Sequence, residues 1–245
     1  MLQSILMEIA AFALFGALAF VFHDRDDQPL IRRDLIIDVL YFLVGILVYS
    51  RIVDWIFSHV HEPVMARIIG RWPLWLQIGV VVVAYDGMQY ALHRWFHGNF
   101  FWRYHAVHHS AQEIDVMTGF RNHPVNFVVG VGVPSAALLL LGFSPAAFAA
   151  LAPFNFLMAA LVHANLNWTY GPFRYVLSSP MFHRWHHAIV EGSMSRNYAP
   201  NFPIWDLMFG TFHMPVGEKP VAYGAPEVPD EFIKQLAYPF QKLSA

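Results

Sequence analysis

The sequence predicts an all-α, multi-pass transmembrane helical bundle of about four or five membrane helices, with a histidine-rich helical cap on its cytoplasmic side. The first observation is composition: 57% of the 245 residues are hydrophobic and only 13% are charged, whereas an ordinary soluble domain carries about 25% charged residues. The second is a set of apolar stretches with lengths near the ~20 residues that span a bilayer. The third is the gathering of histidines into short clusters after the third apolar stretch.

Five apolar stretches are the predicted membrane helices. The first is interpreted as a spanning helix and not as a cleavable signal, because no basic residue precedes it. The fourth is short, contains glycines and a proline, and is joined to the fifth by only a few residues. These last two are expected to form a helical hairpin, or to dip into the membrane without fully crossing it. The stretches are Leu2–Phe22, Leu35–Phe57, Leu74–Leu92, Val125–Leu141 and Pro145–Leu166.

The distribution of basic residues predicts the orientation. The first loop holds Arg25, Arg32 and Arg33, and most of the other basic residues follow the third apolar stretch. Because basic residues are enriched on the cytoplasmic side, the first loop and the histidine clusters are expected on that side of an integral, multi-pass protein.

The chain divides by composition into three regions. Residues 1–73 are predicted to hold N-terminal transmembrane helices and loops, residues 74–213 the histidine region, and residues 214–245 a cytoplasmic tail. Prolines and glycines predict an extended tail. Asp230 is expected to cap a short tail helix that either rests on the membrane surface or is solvated.

Composition also excludes several classes of function. The net charge of −2 argues against nucleic acid as a partner, since phosphate binding needs an excess of basic residues. The chain has no cysteine, which rules out disulfides, iron–sulfur clusters and thiolate-ligated haem within it. His-Glu-x-x-His does not occur, so the zinc-protease interpretation is removed as well.

Eight histidines form three clusters with helical spacing. Imidazole is the commonest metal ligand, and residues four apart on a helix share one face. Adjacent residues diverge by about 100°, so each His-x-x-His-His motif can serve two ions. Eight ligands are too many for one tetrahedral ion and suit two ions with four or five nitrogens each. The clusters are His93-x3-His97, His105-x2-His108-His109 and His183-x2-His186-His187.

Three further residues are candidates for the same site. Asp86 lies on the helix face that carries His93 and His97, so we expect it to hydrogen-bond the far nitrogen of a ligand histidine; the alternative is a structural pair with an arginine. His163, at the end of the last apolar stretch, and His123 are expected as additional ligands. The isolated His23, His59, His61 and His213 are expected to be structural.

Taken together, these motifs resemble the fatty acid hydroxylase/sterol desaturase superfamily of integral-membrane di-iron enzymes, over roughly residues 85–213. Some members carry a second His-x3-His before the last cluster, whereas here His163 is followed at that spacing by Asn167. His123, Asn167 or water is therefore expected to complete the set, and Asn167 joins Asp86 as a candidate catalytic residue. The resemblance implies the ligands His93, His97, His105, His108, His109, His123, His163, His183, His186 and His187.

The resemblance implies a non-haem di-iron oxidoreductase that uses O2 as co-substrate to hydroxylate, or desaturate, a C–H bond of a lipid such as a fatty acyl chain, sterol, carotenoid or alkylglycerol. Electrons would come from a separate ferredoxin- or cytochrome-type protein with its reductase. Arg94, Arg103, Arg184 and Arg196 either dock that acidic carrier or face solvent and lipid headgroups.

Two other functions stay open at this point. The chain can be a histidine-rich membrane metal transporter or metal-storage protein, although such a protein would place ligands along a path through the membrane. The same metal site can also serve aldehyde deformylation or ether cleavage through a hydroxylated intermediate.

Overall fold

The computed structural model describes residues 2–25, 28–29, 31–59, 65–98, 100–189 and 195–241. Within those ranges the fold is helical, and the one strand-like pairing is an isolated bridge between Ala188 and Tyr223. The all-α prediction is therefore confirmed for the described residues. The helices are α1 (Leu2–Phe22), α2 (Leu35–His59), α3 (Ala66–Ile69), α4 (Leu74–Phe96), α5 (Trp102–His109), α6 (Pro124–Phe127), α7 (Val133–Leu141), α8 (Pro145–His163), α9 (Pro180–His187), α10 (Ile204–Met208) and α11 (Phe232–Ala237).

The predicted apolar stretches correspond to long helices. Two helical segments, Pro124–Leu141 and Pro145–His163, are long and apolar enough to cross a membrane, and shorter apolar runs lie at Phe12–Phe22 and Leu35–Val48. The total of four or five membrane helices stays a prediction. The segment Pro124–Leu141 is not uniform, because a π-helical turn at Val128–Gly132 joins α6 to α7.

The last two apolar segments are consecutive helices with a tight tip. α7 ends at Gly142, whose φ of 110° lies in the left-handed region that favours glycine at helix ends. A Cβ at this position would lie only 2.7 Å from the backbone nitrogen of Ala66, so the tip also requires glycine for close packing. The backbone N–H of Ser144 donates to the side chain of Gln77 at 2.9 Å, which ties the tip to the start of α4.

The helix α8 lies at the centre of the fold. It packs against α1, α4, α9 and the 3₁₀ turn Val116–Phe120. Apolar side chains from α4, α7 and α8 form one buried cluster, while those from α1 and the far end of α8 form another. This central position brings the C-terminal end of α8, with His163, next to α9.

A buried ionic network joins the start of α2 to the turn that follows α5. Arg32 donates to Asp115 at 2.6 Å and also to Asp38. Arg121 donates to the same Asp38 and to Asp34, the latter at 3.0 Å. Because Arg32, Arg121 and Asp38 are each at most 2% exposed, the two guanidinium groups depend on these carboxylates for their hydrogen bonds.

Described residues after 213 pack onto the helices. The ring of Phe232 on α11 contacts Tyr41 of α2, with ring centroids 4.8 Å apart. Arg103 of α5 donates to the carbonyl of Tyr238 at 2.8 Å. The predicted cap at Asp230 is not formed, because Glu231 occupies the N-cap position and makes no side-chain cap.

We expect Asp38→Asn to lower the free energy of unfolding by about 3 kcal/mol, because it removes the fully buried carboxylate that the two guanidinium groups share and leaves each with one partly exposed partner, Asp115 or Asp34. Thermal unfolding of the detergent-solubilised protein measures the loss. The matched control is Glu231→Gln, which removes an exposed ion pair with Lys234 and should leave the unfolding temperature unchanged. Equal effects of the two substitutions would contradict the structural role of the network.

Candidate metal centre

Nine histidine side chains gather where α4, α5, α8 and α9 meet. They form two groups, and within each group one ring nitrogen per residue lies within 4.8 Å of the others. Five and four nitrogens agree with the four or five per ion that the sequence predicts. The first group is His93, His97, His105, His109 and His186; the second is His108, His163, His183 and His187.

Helical spacing explains how α5 supplies both groups. His105 and His109 are four residues apart, share a face and join the first group. His108 points about 100° away from His109 and joins the second group.

The helix α9 also supplies both groups, but it gives one histidine to the first group and two to the second. Its pair His183 and His187 joins the second group, whereas His186 between them joins the first. The helix is started by Pro180 at its first turn and by the Ser179 hydroxyl, which accepts from the Phe182 N–H at 3.1 Å. Both groups therefore draw ligands from the same two short helices, and α4 and α8 complete one group each.

The ring nitrogens approach one another as ligands of a shared ion do. In the first group Nε2 of His105 lies 2.9 Å from Nε2 of His93 and 3.1 Å from Nε2 of His109. In the second group Nε2 of His183 lies 2.8 Å from Nε2 of His163 and 3.0 Å from Nε2 of His187. A neutral imidazole carries one N–H, so hydrogen bonds between the rings cannot satisfy three converging nitrogens.

Several ring nitrogens at the centre are buried without a hydrogen-bond partner among the described residues. One of them, Nε2 of His186, faces the first group, because Nδ1 of the same ring donates to a backbone carbonyl. The others are the outer nitrogens, Nδ1 of His109, His183 and His187. A buried polar atom is normally paired, so the inward Nε2 of His186 indicates a missing partner. A metal ion could bind it, and a pure imidazole donor set suits iron, zinc, copper or nickel.

Backbone carbonyls hold the outer nitrogens of the ligand rings. In the first group Nδ1 of His93 donates to the carbonyl of Tyr198, and Nδ1 of His186 donates to the carbonyl of Arg196, both at 2.7 Å. Such bonds fix the tautomer, so Nε2 of each ring presents its lone pair to the group.

The second group uses carbonyls from its own surroundings. Nδ1 of His163 donates to the carbonyl of Ala159, one turn earlier on α8, at 2.7 Å. Nδ1 of His108 donates to the carbonyl of Arg121 at 3.2 Å. The guanidinium group of Arg121 belongs to the buried ionic network, so that network also positions a ligand.

Burial keeps the histidines of α5 and α9 neutral. Loss of solvent, followed by the neighbouring imidazoles, lowers the pKa of these six side chains well below the usual 6.5. Neutral imidazole is the form that binds metal, so the site is ready for ions at neutral pH. The six are His105, His108, His109, His183, His186 and His187.

His123 lies outside both groups. Its Nε2 donates to the carbonyl of Leu236 at 3.2 Å, and its Nδ1 accepts from the N–H of Val125 at 3.2 Å. With both nitrogens engaged, the ring caps α6 and holds α11 in place. The prediction of His123 as a tenth ligand is therefore not supported.

Asn167 also lies away from the groups. Its side chain is exposed, and its backbone N–H donates to the carbonyl of Phe22 at 3.1 Å. Asn167 was a candidate because it stands at the His-x3-His spacing after His163, but α8 ends at His163 and the chain turns away at Ala164. The position four residues after His163 is then no longer on the ligand face.

Asp86 is fully buried but does not bond a ligand histidine. Its carboxylate accepts from the N–H groups of Asn201 and Phe202, at 3.0 and 3.2 Å, and from the indole of Trp205 at 2.9 Å. The predicted bond to a ligand ring is not formed, because carbonyls take that place; nor does an arginine pair with it. Asp86 instead fixes the loop that follows α9.

Asp206 has a matching role, which the sequence argument did not assign. It is fully buried and accepts from the N–H groups of Tyr198 and Ala199, both at 2.8 Å, and from the hydroxyl of Thr211 at 2.6 Å. The carbonyl of Tyr198 is thereby held against His93. The available signal was an acidic residue within an otherwise uncharged apolar run.

Two of the four arginines proposed to dock an electron carrier are engaged elsewhere. Arg184 is fully buried and donates to the carbonyl of Ile114 at 2.9 Å. Arg103 donates to carbonyls near α11. Arg94 and Arg196 are exposed.

Both histidine groups border one cavity of about 740 Å³. Most of its wall is apolar, with aromatic side chains from α2, α4, α6 and α8. Carboxamides supply most of the remaining polar lining: Gln89, Asn122, Asn126, Asn155 and Asn201. The histidines on its wall are His93, His105, His108, His163 and His183.

A family model for fatty acid hydroxylase matches residues 78–211, which include all nine clustered histidines. The chain belongs to the fatty acid hydroxylase family. This match confirms the resemblance to the fatty acid hydroxylase/sterol desaturase superfamily that the histidine motifs indicate. No solved structure matches the chain.

The relatives with similar sequences have names that refer to lipids or long-chain aldehydes. The chain is 32% identical over 174 residues to an ornithine lipid hydroxylase of Rhizobium tropici, covering 70% of this chain and 53% of that protein. It is 35% identical over 155 residues to an alkylglycerol monooxygenase of Danio rerio, covering 62% and 33%. A very-long-chain aldehyde decarbonylase of Oryza sativa is 26% identical over 162 residues, covering 58% and 25%. The chain thus spans about half, or less, of the length of these relatives.

We expect the purified protein to hold two metal ions per chain and His163→Ala to lose about one of them, because the second group has only four ligands. Metal analysis after removal of loosely bound ions measures the content. His123→Ala is the matched control and should keep both ions, since both of its nitrogens are engaged elsewhere. An equal loss in the two variants would contradict the assignment.

We expect Gly119→Ala to weaken metal binding by about 10- to 100-fold, the usual cost of disturbing the support of a ligand. A Cβ at Gly119 would lie 2.9 Å from Nδ1 of His163 and 3.1 Å from the carbonyl oxygen of Ala159, so it would disrupt the bond between them. Gly79→Ala on α4 is the control, since no atom lies within 4 Å of the added Cβ. Competition with a chelator measures both affinities; an unchanged affinity in Gly119→Ala would show that this bond does not hold the ligand.

Proposed function

We propose that the chain is a membrane-embedded, O2-dependent non-haem di-iron oxidoreductase that hydroxylates a C–H bond of a lipid. One observation carries the proposal: both histidine groups open onto the same largely apolar cavity. A metal site next to an apolar cavity is suited to oxidising a hydrocarbon chain, because the chain can be held in a dry environment beside the ions.

The nine clustered histidines would hold two irons. The imidazole set alone does not select iron, so this assignment takes its support from the hydroxylase and monooxygenase names of the relatives. Bound irons would supply the activation of O2, in which two electrons and two protons convert C–H and O2 into C–OH and water. The part of the chain is to hold the ions, exclude water and place one C–H bond beside them.

The cavity would bind the lipid chain. Its volume of about 740 Å³ lies within the range of about 300–1,000 Å³ that is usual for small-molecule sites. Gln89 lies one helical turn before His93 and donates to the carbonyl of Gly130 at 2.7 Å. Its carboxamide and that of Asn155 would bind a polar group of the lipid and so set which carbon faces the metals.

The names of the relatives favour hydroxylation over desaturation. Both the ornithine lipid hydroxylase and the alkylglycerol monooxygenase are named for inserting oxygen into a lipid. The aldehyde decarbonylase is less similar to this chain, and the match covers a smaller share of that protein. A metal transporter would need ligands along a path through the membrane, whereas the nine ligands form two compact groups at one end of the helices.

We further propose an integral, multi-pass protein of four or five membrane helices, with the histidine groups in a cap on the cytoplasmic side. Two apolar helical segments of membrane length and the positive-inside pattern support this placement. Electrons would come from a separate ferredoxin- or cytochrome-type donor with its reductase. The exposed Arg94 and Arg196 are the candidates for docking its acidic surface.

Lipid mass spectrometry of cells that express the protein tests the function. We expect a lipid that gains one oxygen atom with the wild type and disappears with His108→Ala or His186→Ala, which remove one ligand from each group. His123→Ala should retain the product. A product with two hydrogens fewer would indicate desaturation, and a product that persists in both ligand variants would refute the metal-dependent reaction.

A further inference from the structure

The segment Asn197–Phe212 follows α9 and contains α10. It begins against the first histidine group, where the carbonyl of Tyr198 accepts from His93, and its middle part around α10 extends away from the histidines along the central helices. Asn201 donates from its side chain to Asn155 at 3.0 Å, and Phe202 stacks on Phe154 with ring centroids 6.1 Å apart. Asn155 is eight residues before the end of α8, which corresponds to about 12 Å along the axis. The segment therefore reaches the middle of a helix that has the length and composition of a membrane span.

Contacts with α4 place α10 at a similar distance from the first histidine group. The indole of Trp205 packs directly on Gly87, where an added Cβ would lie 2.8 Å from the ring. The ring of Phe209 stacks on Tyr90 with centroids 5.4 Å apart. Since Gly87 precedes His93 by six residues, α10 lies about 9 Å along α4 from the first histidine group.

The surface of this segment is apolar. Its exposed positions are Ile204, Leu207, Met208 and Phe209, at 40–63% exposure, together with Gly210. Its one charged residue, Asp206, is fully buried. An exposed apolar patch without charges marks an interface with lipid or protein.

The backbone N–H groups of the irregular stretch before α10 are bonded to protein acceptors. From Asn197 to Phe202 every backbone N–H has a protein acceptor, and Pro200 has no N–H to satisfy. Asn197 donates to the carbonyl of Thr211, the next two N–H groups donate to Asp206, and those of Asn201 and Phe202 donate to Asp86. In hydrocarbon, irregular backbone is tolerated only when it is satisfied in this way.

From these observations we propose that Asn197–Phe212 re-enters the bilayer from the histidine side and that the apolar face of α10 contacts lipid acyl chains. Asp86 and Asp206 are then the internal acceptors that make the re-entry possible. Because Pro200 and Asn201 also line the cavity, the segment forms part of the wall between the bound substrate and the bilayer. This inference rests on the membrane placement in the proposed function.

The chain has no cysteine, so single cysteines report on one position each. Met208→Cys probes α10, Leu157→Cys on α8 is the membrane control, and Val216→Cys, at 79% exposure, is the solvent control. The full chain is reconstituted in phosphatidylcholine nanodiscs, where both membrane faces are accessible. The measurements are the rate of labelling by a charged maleimide and the quenching of an attached fluorophore by lipids spin-labelled in mid-chain.

We expect Met208→Cys to lose labelling as Leu157→Cys does and to be quenched by the spin-labelled lipids, while Val216→Cys reacts fast. Fast labelling of Met208→Cys with a protected Leu157→Cys would overturn the re-entry alone. Fast labelling of both cysteines would show that α8 does not lie in the bilayer and would refute the membrane placement itself. Protection of Met208→Cys without lipid quenching would mean that a protein surface, such as a second copy, covers α10, and would also overturn the proposal.

Discussion

The structure depends on one electrostatic constraint: nine imidazoles must lie together, desolvated and uncharged, in two groups, with one nitrogen of each ring facing the centre of its group. A protonated ring in either group would repel its neighbours and lose its lone pair. For four of the rings, the outer N–H group donates to a backbone carbonyl that is fixed in place. The helix α8, the loop after α9 and the turn after α5 are arranged so that those carbonyls are where the rings need them.

Buried charges outside the histidine groups serve this same arrangement. Arg121 connects Asp38 of α2 with the carbonyl that holds His108, so a helix outside the family match contributes to the site. Asp86 and Asp206 together fix the loop that holds His93 and His186. The predicted division at residue 73 therefore separates two regions of sequence whose side chains meet in one network, and the region after residue 213 joins them through His123.

Local periodicity explains what the sequence could predict. The division of His105, His108 and His109 between two ligand groups follows from helix geometry alone, and the structure divides these side chains in that way. The errors concern residues whose environment is set by distant parts of the chain. Asn167 was chosen from a motif spacing, whereas the helix that would keep that spacing on one face ends four residues earlier. Asp86 was paired within its own helix, although its partners lie more than a hundred residues away. His123 has the residue type of a ligand, and only the position of α11 shows that its nitrogens are occupied.

The exchange of ligands between α5 and α9 has a thermodynamic consequence. Each helix carries ligands of both groups, so an ion that orders α5 and α9 by binding one group also orders three ligands of the other. The second ion then binds to histidines that are already ordered, so the entropic cost of ordering α5 and α9 falls on the first ion alone. The two sites would fill as one cooperative step, with apo and fully loaded chains coexisting at half saturation and few chains holding a single ion. A metal titration that resolved two independent binding steps would show that the helices do not couple the sites.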